Sequence, residues 1–126
     1  MVTIDKMYDM LDEIAQELPE EVFRGLNGGV SLRPDVMQSR SDPGGGLYTL
    51  GEYRRDQMGR YIVIYYGSLC AVYPYATEEK MRKHLKDVLT HELTHHLESL
   101  AGERDLEIED KRKLDEYRRR RGHLRE

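Results

Sequence analysis

Several residue types are scarce in this chain, and each scarcity excludes a class of protein. Cys70 is the single cysteine and there is no tryptophan, which rules out an internal disulfide and a cysteine-based zinc cluster. Because Cys70 stands in the apolar run Leu69–Val72, a buried thiol is favoured over a catalytic nucleophile. No apolar stretch approaches the roughly 20 residues that cross a membrane. No basic segment followed by an apolar one opens the chain, so we expect no signal peptide and a cytoplasmic location.

The bulk composition indicates one small, highly charged domain. The 126 residues are 38% hydrophobic and 35% charged, with a net charge of −4, which fits a single domain over residues 1–126 with a thin core. From Lys111 onward eight Lys or Arg stand against three Asp or Glu. Residues 118–126 therefore read as a basic tail, which usually marks a solvated or packed helix end and less often a nucleic-acid contact.

Apolar spacing and turn residues predict an α+β fold, in which a small mixed β-sheet packs on a long helix between an N-terminal and a C-terminal helix. Residues 39–46 are rich in glycine and serine and predict a flexible loop. Residues 55–59 resemble a hairpin connection. The predicted helices are Ile4–Leu18, Glu78–Ala101 and Glu109–Arg120, and the predicted strands are Val30–Leu32, Leu47–Tyr53 and Tyr61–Tyr66.

The long helix carries the sequence His91-Glu92-Leu93-Thr94-His95. Histidines four residues apart lie on one side of a helix, with Cβ atoms about 5–6 Å from each other, and both can bind one Zn²⁺. Glu92 is turned about 100° from His91, so its carboxylate stands beside the metal, where it can act as a general base.

Projection of this helix bears on Glu92 and adds three candidates. Glu92 falls within the margin of the apolar face, where a carboxylate needs a functional reason. His96 projects into the middle of that face, which favours a core histidine bonded to a backbone carbonyl over a residue that orients a ligand. Asp87 could accept the second-nitrogen proton of His91. His84 could line a substrate cleft, although a solvated position is favoured.

A catalytic zinc needs a third protein ligand. The acidic residues after the helix supply the candidates, and Gly102 can reverse the chain toward the site. As the third ligand we favour Asp105, then Glu107, then Glu103. Glu98 is still on the helix, but its distance from the two histidines along the helix axis is marginal for a ligand.

These residues resemble the small bacterial zincin-like metallopeptidases, or minimal zincins. The stretches that carry the likeness are 46–48, Tyr61–Ser68, Val88–His96 and Gly102-Glu103-Arg104-Asp105. The resemblance implies zinc-dependent peptide hydrolysis, with Asp105 as the third ligand. Here the five residues Leu97–Ala101 separate the histidines from the glycine, one helical turn more than in shorter members. Other zincin patterns fit less well: Ala101 stands where metzincins carry a histidine, and a thermolysin-like ligand would have to be Glu116.

Two functions are therefore considered. In the first, one zinc ion per chain is held by His91, His95 and Asp105, and Glu92 is the base in the hydrolysis of a peptide or protein substrate. The substrate would lie along the sheet edge near Leu47–Tyr53, and Tyr65 or Tyr66 would stabilise the oxyanion. The alternative is a metal-dependent nuclease or RNA-binding module that uses the basic run from Arg118 to Arg121, or a metal-binding protein with little activity alone.

Overall fold

The computed structural model describes residues 1–39, 46–102 and 107–120, and within the last range it leaves out the side chains of 107–110 and 120. Most of the predicted loop 39–46 therefore lies outside the described residues, as do Glu103, Asp105 and residues 121–126. In the described part of the chain, no helix combines the length and apolar character that a membrane span requires.

The N-terminal helix α1, Ile4–Glu17, ends one residue earlier than predicted. Its N-cap is Thr3, whose Oγ1 accepts the backbone N–H of Lys6 at 3.1 Å, which satisfies one first-turn donor. The buried side chains Met7, Met10, Leu11 and Ile14 form its inner face. A 3-10 turn, Glu20–Phe23, follows Pro19.

The described sheet has three strands, β1 (Val30–Arg33), β2 (Gly51–Asp56) and β3 (Gly59–Tyr65), in the order β1-β3-β2. β1 runs parallel to β3 with Val30 opposite Ile62, and β2 runs antiparallel with Gly51 opposite Ile64. The mixed sheet of the predicted α+β fold is thus confirmed. The central strand β3 is buried on both faces in its second half, because its residues from Ile62 to Tyr65 are no more than 2% exposed. The hairpin predicted at residues 55–59 joins β2 to β3.

Several predicted strand boundaries are wrong. The second strand begins at Gly51 rather than Leu47 and continues to Asp56, because residues 47–49 pair with residues 37–39 instead of β3. The first strand extends one residue further than predicted, to Arg33, and the third begins at Gly59 rather than Tyr61. The third strand ends at Tyr65, and Tyr66 starts a short helix, α2 (Tyr66–Val72), that was not predicted. Cys70 lies on α2 and is only partly buried.

The long helix α3 spans Glu78–Ala101, as predicted. Thr77 caps it, with Oγ1 3.2 Å from the N–H of Lys80, and Gly102 ends it, with its N–H bonded to Glu98 O at 3.1 Å. The core lies between α3, the sheet and α1, and its α3 members Leu85, Leu89, Leu93 and Leu97 are fully buried. The last helix, α4 (Glu107–Arg120), begins two residues earlier than predicted. It packs on α3, with Leu114 fully buried.

Candidate active site

One turn of α3 brings His91 and His95 together on the solvent side of the core. Their Nε2 atoms are 3.2 Å apart, and the ring planes stand at 89° to each other. Two nitrogens bound to one tetrahedral zinc at about 2.0–2.1 Å lie roughly 3.3 Å apart. The pair therefore has the nitrogen spacing that zinc requires, so the two histidines fit this metal.

The side chains of all three residues predicted as the third ligand fall outside what the structure describes. Among the described residues, no group of three His, Cys, Asp or Glu side chains converges on one point. Asp105 and Glu103 fall outside those residues, and so does the side chain of Glu107. The ranking of these three as ligands stays a prediction.

Glu98 lies beside His95 rather than beside the paired Nε2 atoms. Its Oε1 is 3.6 Å from His95 Nδ1, the nitrogen opposite the one that faces His91. A carboxylate in this position favours the tautomer with hydrogen on Nδ1, which leaves Nε2 free to bind metal. The sequence placed Glu98 only as a marginal third ligand and did not indicate this contact.

Glu92 is 8% exposed and points inward from α3 toward β2. The backbone N–H of Tyr53 donates a hydrogen bond to its carboxylate. Burial raises the pKa of Glu92, and the nearby Glu52 raises it further, whereas His95 and the Tyr53 N–H lower it. A base whose pKa is moved toward neutrality can both take and return a proton.

The register of the sheet explains why Tyr53 can reach Glu92. Tyr65 donates its N–H to Leu50 O at 2.9 Å, and polar groups alternate in direction along an antiparallel strand. Gly51 and Tyr53 therefore point their backbone groups away from β3. Since β2 is the last strand at its side of the described sheet, these groups face α3 and the site.

Gly51 allows β2 to lie directly against α3. A Cβ atom at this position would be 2.7 Å from Val88 Cγ1 and 3.4 Å from Glu92 Cγ. Ordinary carbon contacts are about 3.5–4.0 Å. Only glycine fits, and the close approach brings the Tyr53 N–H within reach of the glutamate.

His96 is the core histidine that the helix projection favoured. It is fully buried, and its Nε2 lies 2.7 Å from Arg24 O. Because a carbonyl only accepts, Nε2 donates, and Nδ1 accepts the Tyr53 hydroxyl at 3.0 Å. Burial lowers the pKa of His96, which keeps the ring neutral. His96 thereby also holds the side chain of Tyr53, the residue whose backbone N–H bonds Glu92.

A cleft of about 310 Å³ opens beside the His91–His95 pair. His84 lines it and stacks on Tyr73, with ring centroids 3.6 Å apart and planes at 6°. The residue is half-buried, and its role toward a substrate stays a prediction. Arg118 of α4 reaches the same cleft, which the sequence did not indicate. The lining residues are Thr49, Leu50, Gly51, Tyr73, His84, Asp87, Val88, His91, Glu92 and Arg118.

The two tyrosines predicted for the oxyanion are directed elsewhere. The Tyr66 hydroxyl donates to Val2 O at 2.6 Å. The Tyr65 hydroxyl donates to Glu52 Oε1 at 2.7 Å, and burial together with this bond raises the pKa of Tyr65. Neither residue is among those that line the cleft, and each hydroxyl is bonded to a partner elsewhere in the chain. Asp87 lines the cleft together with His91, and its predicted hydrogen bond to His91 stays a prediction.

A helix that carries His-Glu-x-x-His against the outer strand of a mixed sheet is the arrangement of a zinc-dependent hydrolase. The profile of the zincin-like metallopeptidase family matches residues 16–114. The chain therefore belongs to the zincin-like metallopeptidase family, a membership that implies a metal, typically zinc.

A solved structure supports the same fold. The chain is similar to a conserved hypothetical protein from Thermus thermophilus, with 31% identity and a TM-score of 0.66 over 81% of this chain and 100% of that one. The name of that protein assigns it no activity. No curated protein matches this sequence.

Proposed function

We propose that this protein is a zinc-dependent peptidase in which Glu92 is the general base. The observation that carries the proposal is the 3.2 Å separation of the His91 and His95 Nε2 atoms next to a buried glutamate. His91 and His95 would hold the metal together with Asp105, the residue that the family resemblance names. The membership of the family supports metal-dependent hydrolysis.

The residues of this chain divide the chemistry between α3 and β2. Zinc bound by these residues would supply a Lewis acid and would lower the pKa of its water to about 7. The Glu92 carboxylate accepts a proton from the attacking water and returns it to the nitrogen of the leaving amine. The Tyr53 N–H bonds that carboxylate, while the Glu98 carboxylate beside Nδ1 of His95 favours a proton on that nitrogen.

The cleft supports a peptide as the substrate. Thr49, Leu50 and Gly51 line it on the side opposite α3, and the backbone of Gly51 points away from β3. An extended peptide can therefore pair with this strand edge by β-addition. Thr49 already donates its N–H to Met37 O at 2.8 Å, and Leu47 O accepts the N–H of Ser39 at 3.0 Å. The edge that we propose for the substrate is therefore shorter than the predicted Leu47–Tyr53 and centres on Gly51.

The structure does not favour the nucleic-acid alternative. Arg118, the first residue of the basic run, is buried at 8% exposure and lies in the cleft. Lys113 of the same helix pairs with Glu21 at 3.0 Å. The next residue, Arg119, is exposed. The side chain of Arg120 and the whole of Arg121 lie outside the described residues.

The test combines metal content with cleavage of a peptide library followed by mass spectrometry. We expect wild type to bind one zinc per chain and to cleave. Glu92→Gln should keep the zinc and lose about 10²–10⁴-fold in rate. Glu79→Gln is the matched control, because it makes the same change in the first turn of the same helix and should leave the rate unchanged. Zinc binding without cleavage, or equal rates for wild type and Glu92→Gln, would refute the proposal.

A further inference from the structure

Arg118 is a cation without a carboxylate partner in the wall of the active-site cleft. Its Nη1 donates to Thr94 Oγ1 at 3.0 Å, and its buried Nε has no hydrogen-bond partner. No ion pair is formed between Arg118 and a carboxylate in the part of the chain that the structure describes. It is the one Lys or Arg among the described residues that line the cleft.

A buried charge without a counter-ion is energetically unfavourable. The packing of α4 nevertheless places Arg118 here, since Leu114, one turn earlier, is fully buried against α3. The adjacent Arg119 is exposed, so the chain has a solvated position for an arginine one residue away. An arginine buried without its counter-ion fits a site whose anion arrives with the ligand.

The position of the guanidinium limits where that anion can be. Thr94, to which it is bonded, is three residues beyond His91 on α3, about 4.5 Å along the helix axis. One extended residue spans about 3.3–3.6 Å. This axial separation corresponds to one or two residues of an extended substrate between an anionic group held by Arg118 and the scissile bond.

From this geometry we infer that Arg118 binds a carboxylate of the substrate, one or two residues from the scissile bond. The inference rests on the proposed peptidase function and adds the class of substrate to it. Arginine suits this role because its planar group binds carboxylates through two parallel hydrogen bonds. The carboxylate can come from the C-terminus of a short peptide or from an Asp or Glu side chain, and both present the same chemistry.

The experiment uses zinc-loaded Glu92→Gln protein, which retains ligands without turnover, and a library of N-acetylated tripeptides. Each peptide is made as the free acid and as the C-terminal amide, and further amides carry Asp or Glu at the last position. Peptides retained by the immobilised protein are counted by mass spectrometry. We expect acids to be retained roughly tenfold to hundredfold more than neutral amides, the range for hydrogen bonds to charged groups. Retention of the Asp and Glu amides would assign the carboxylate to a side chain.

Substitutions then test the residue. Arg118→Met, combined with Glu92→Gln, should retain acids and neutral amides equally, while Arg118→Lys should keep part of the preference. Arg119→Met is the matched control for net charge, because it lies next in sequence on the exposed side, and it should keep the full preference. Equal retention of acids and neutral amides by Glu92→Gln alone would overturn the inference, even if the Arg118 variants failed to fold. Loss of the preference in Arg119→Met would also overturn it.

Cleavage by the wild-type protein separates this inference from the proposed function. Cleavage products whose new termini lie one or two residues from a carboxylate would support both the peptidase function and the Arg118 site. A protein that cleaves neutral amides and acids equally well is a peptidase without the Arg118 site. A protein that cleaves nothing but retains acids through Arg118 refutes the peptidase and keeps the carboxylate site.

Discussion

Gly51 offers the sharpest test of how the strand edge positions the site. An alanine Cβ at this position would lie 2.7 Å from Val88 Cγ1, 3.3 Å from Val63 O and 3.4 Å from Glu92 Cγ. Carbon atoms in ordinary contact are about 3.5–4.0 Å apart. Gly51→Ala must therefore move β2 away from α3 by about 1 Å, and the Tyr53 N–H moves with it.

The size of the effect follows from this displacement. Overpacking by one methyl group in a tight contact costs about 1–3 kcal/mol, which lowers the melting temperature by roughly 4–12 °C in a chain of this length. A 1 Å displacement at a catalytic group costs about 10²-fold in rate. Zinc binding by His91 and His95 should change little, because both lie on α3.

The assay is a double-mutant cycle with Val88→Ala, read by thermal denaturation and by peptide cleavage. Val88 supplies the nearest clashing atom, so its truncation makes room for the new methyl group. We expect the double variant to be more stable than the sum of the two single changes by about 1 kcal/mol or more, within the range for residues in contact. Additive effects, or a Gly51→Ala protein as stable and active as wild type, would refute the close-approach argument.

Two further predictions concern stability and pH. Burial lowers the pKa of His96 below its ordinary value of 6.5, so the unfolded chain takes up more protons as the pH falls below about 6.5. The free energy of unfolding of the metal-free protein should decrease there, and less steeply in His96→Gln, in denaturant titrations at several pH values. The hydrogen bond from Lys86 lowers the pKa of Glu17 below 4.5, so its stabilising effect is complete above about pH 4.5 and is lost on further acidification. Glu17→Gln leaves Lys86, which is 5% exposed, without this partner and should cost on the order of 1–2 kcal/mol at pH 7, whereas the exposed Glu13→Gln should change the free energy of unfolding by less than about 0.5 kcal/mol.

The first and last residues of α3 could be predicted because the features that mark them are local in sequence. Thr77, the acidic first turn and Gly102 mark its ends, and the repeat of buried leucines marks its inner face. The approach of His91 to His95 and the buried position of Glu92 followed from spacing on that helix alone. The link from His96 through Tyr53 to Glu92 did not, because the two partners are 43 residues apart in sequence and meet only after the sheet has formed.

The short helix α2 was missed for a similar reason. A Cβ atom at Gly67 would lie 2.5 Å from Pro34 O and 2.6 Å from Asp35 O, so this glycine permits α2 to contact the segment after β1. That contact is long-range and leaves no periodic pattern in a helix as short as Tyr66–Val72. Arg118 is different, because Leu114 stands four residues before it and residues four apart share a helix face. This spacing was available in the sequence, but residues 118–126 were interpreted together as a basic tail.

In the proposed mechanism the edge of β2 would have two uses, and they would compete. The Tyr53 N–H is bonded to Glu92, so a substrate strand cannot take that donor without releasing the general base. The backbone groups left for β-addition are those near Gly51, where the strand enters the cleft. Such a short stretch can hold an extended segment of only a few residues. An additional anchor such as Arg118 then becomes valuable, because it supplies binding energy that the short strand pairing cannot.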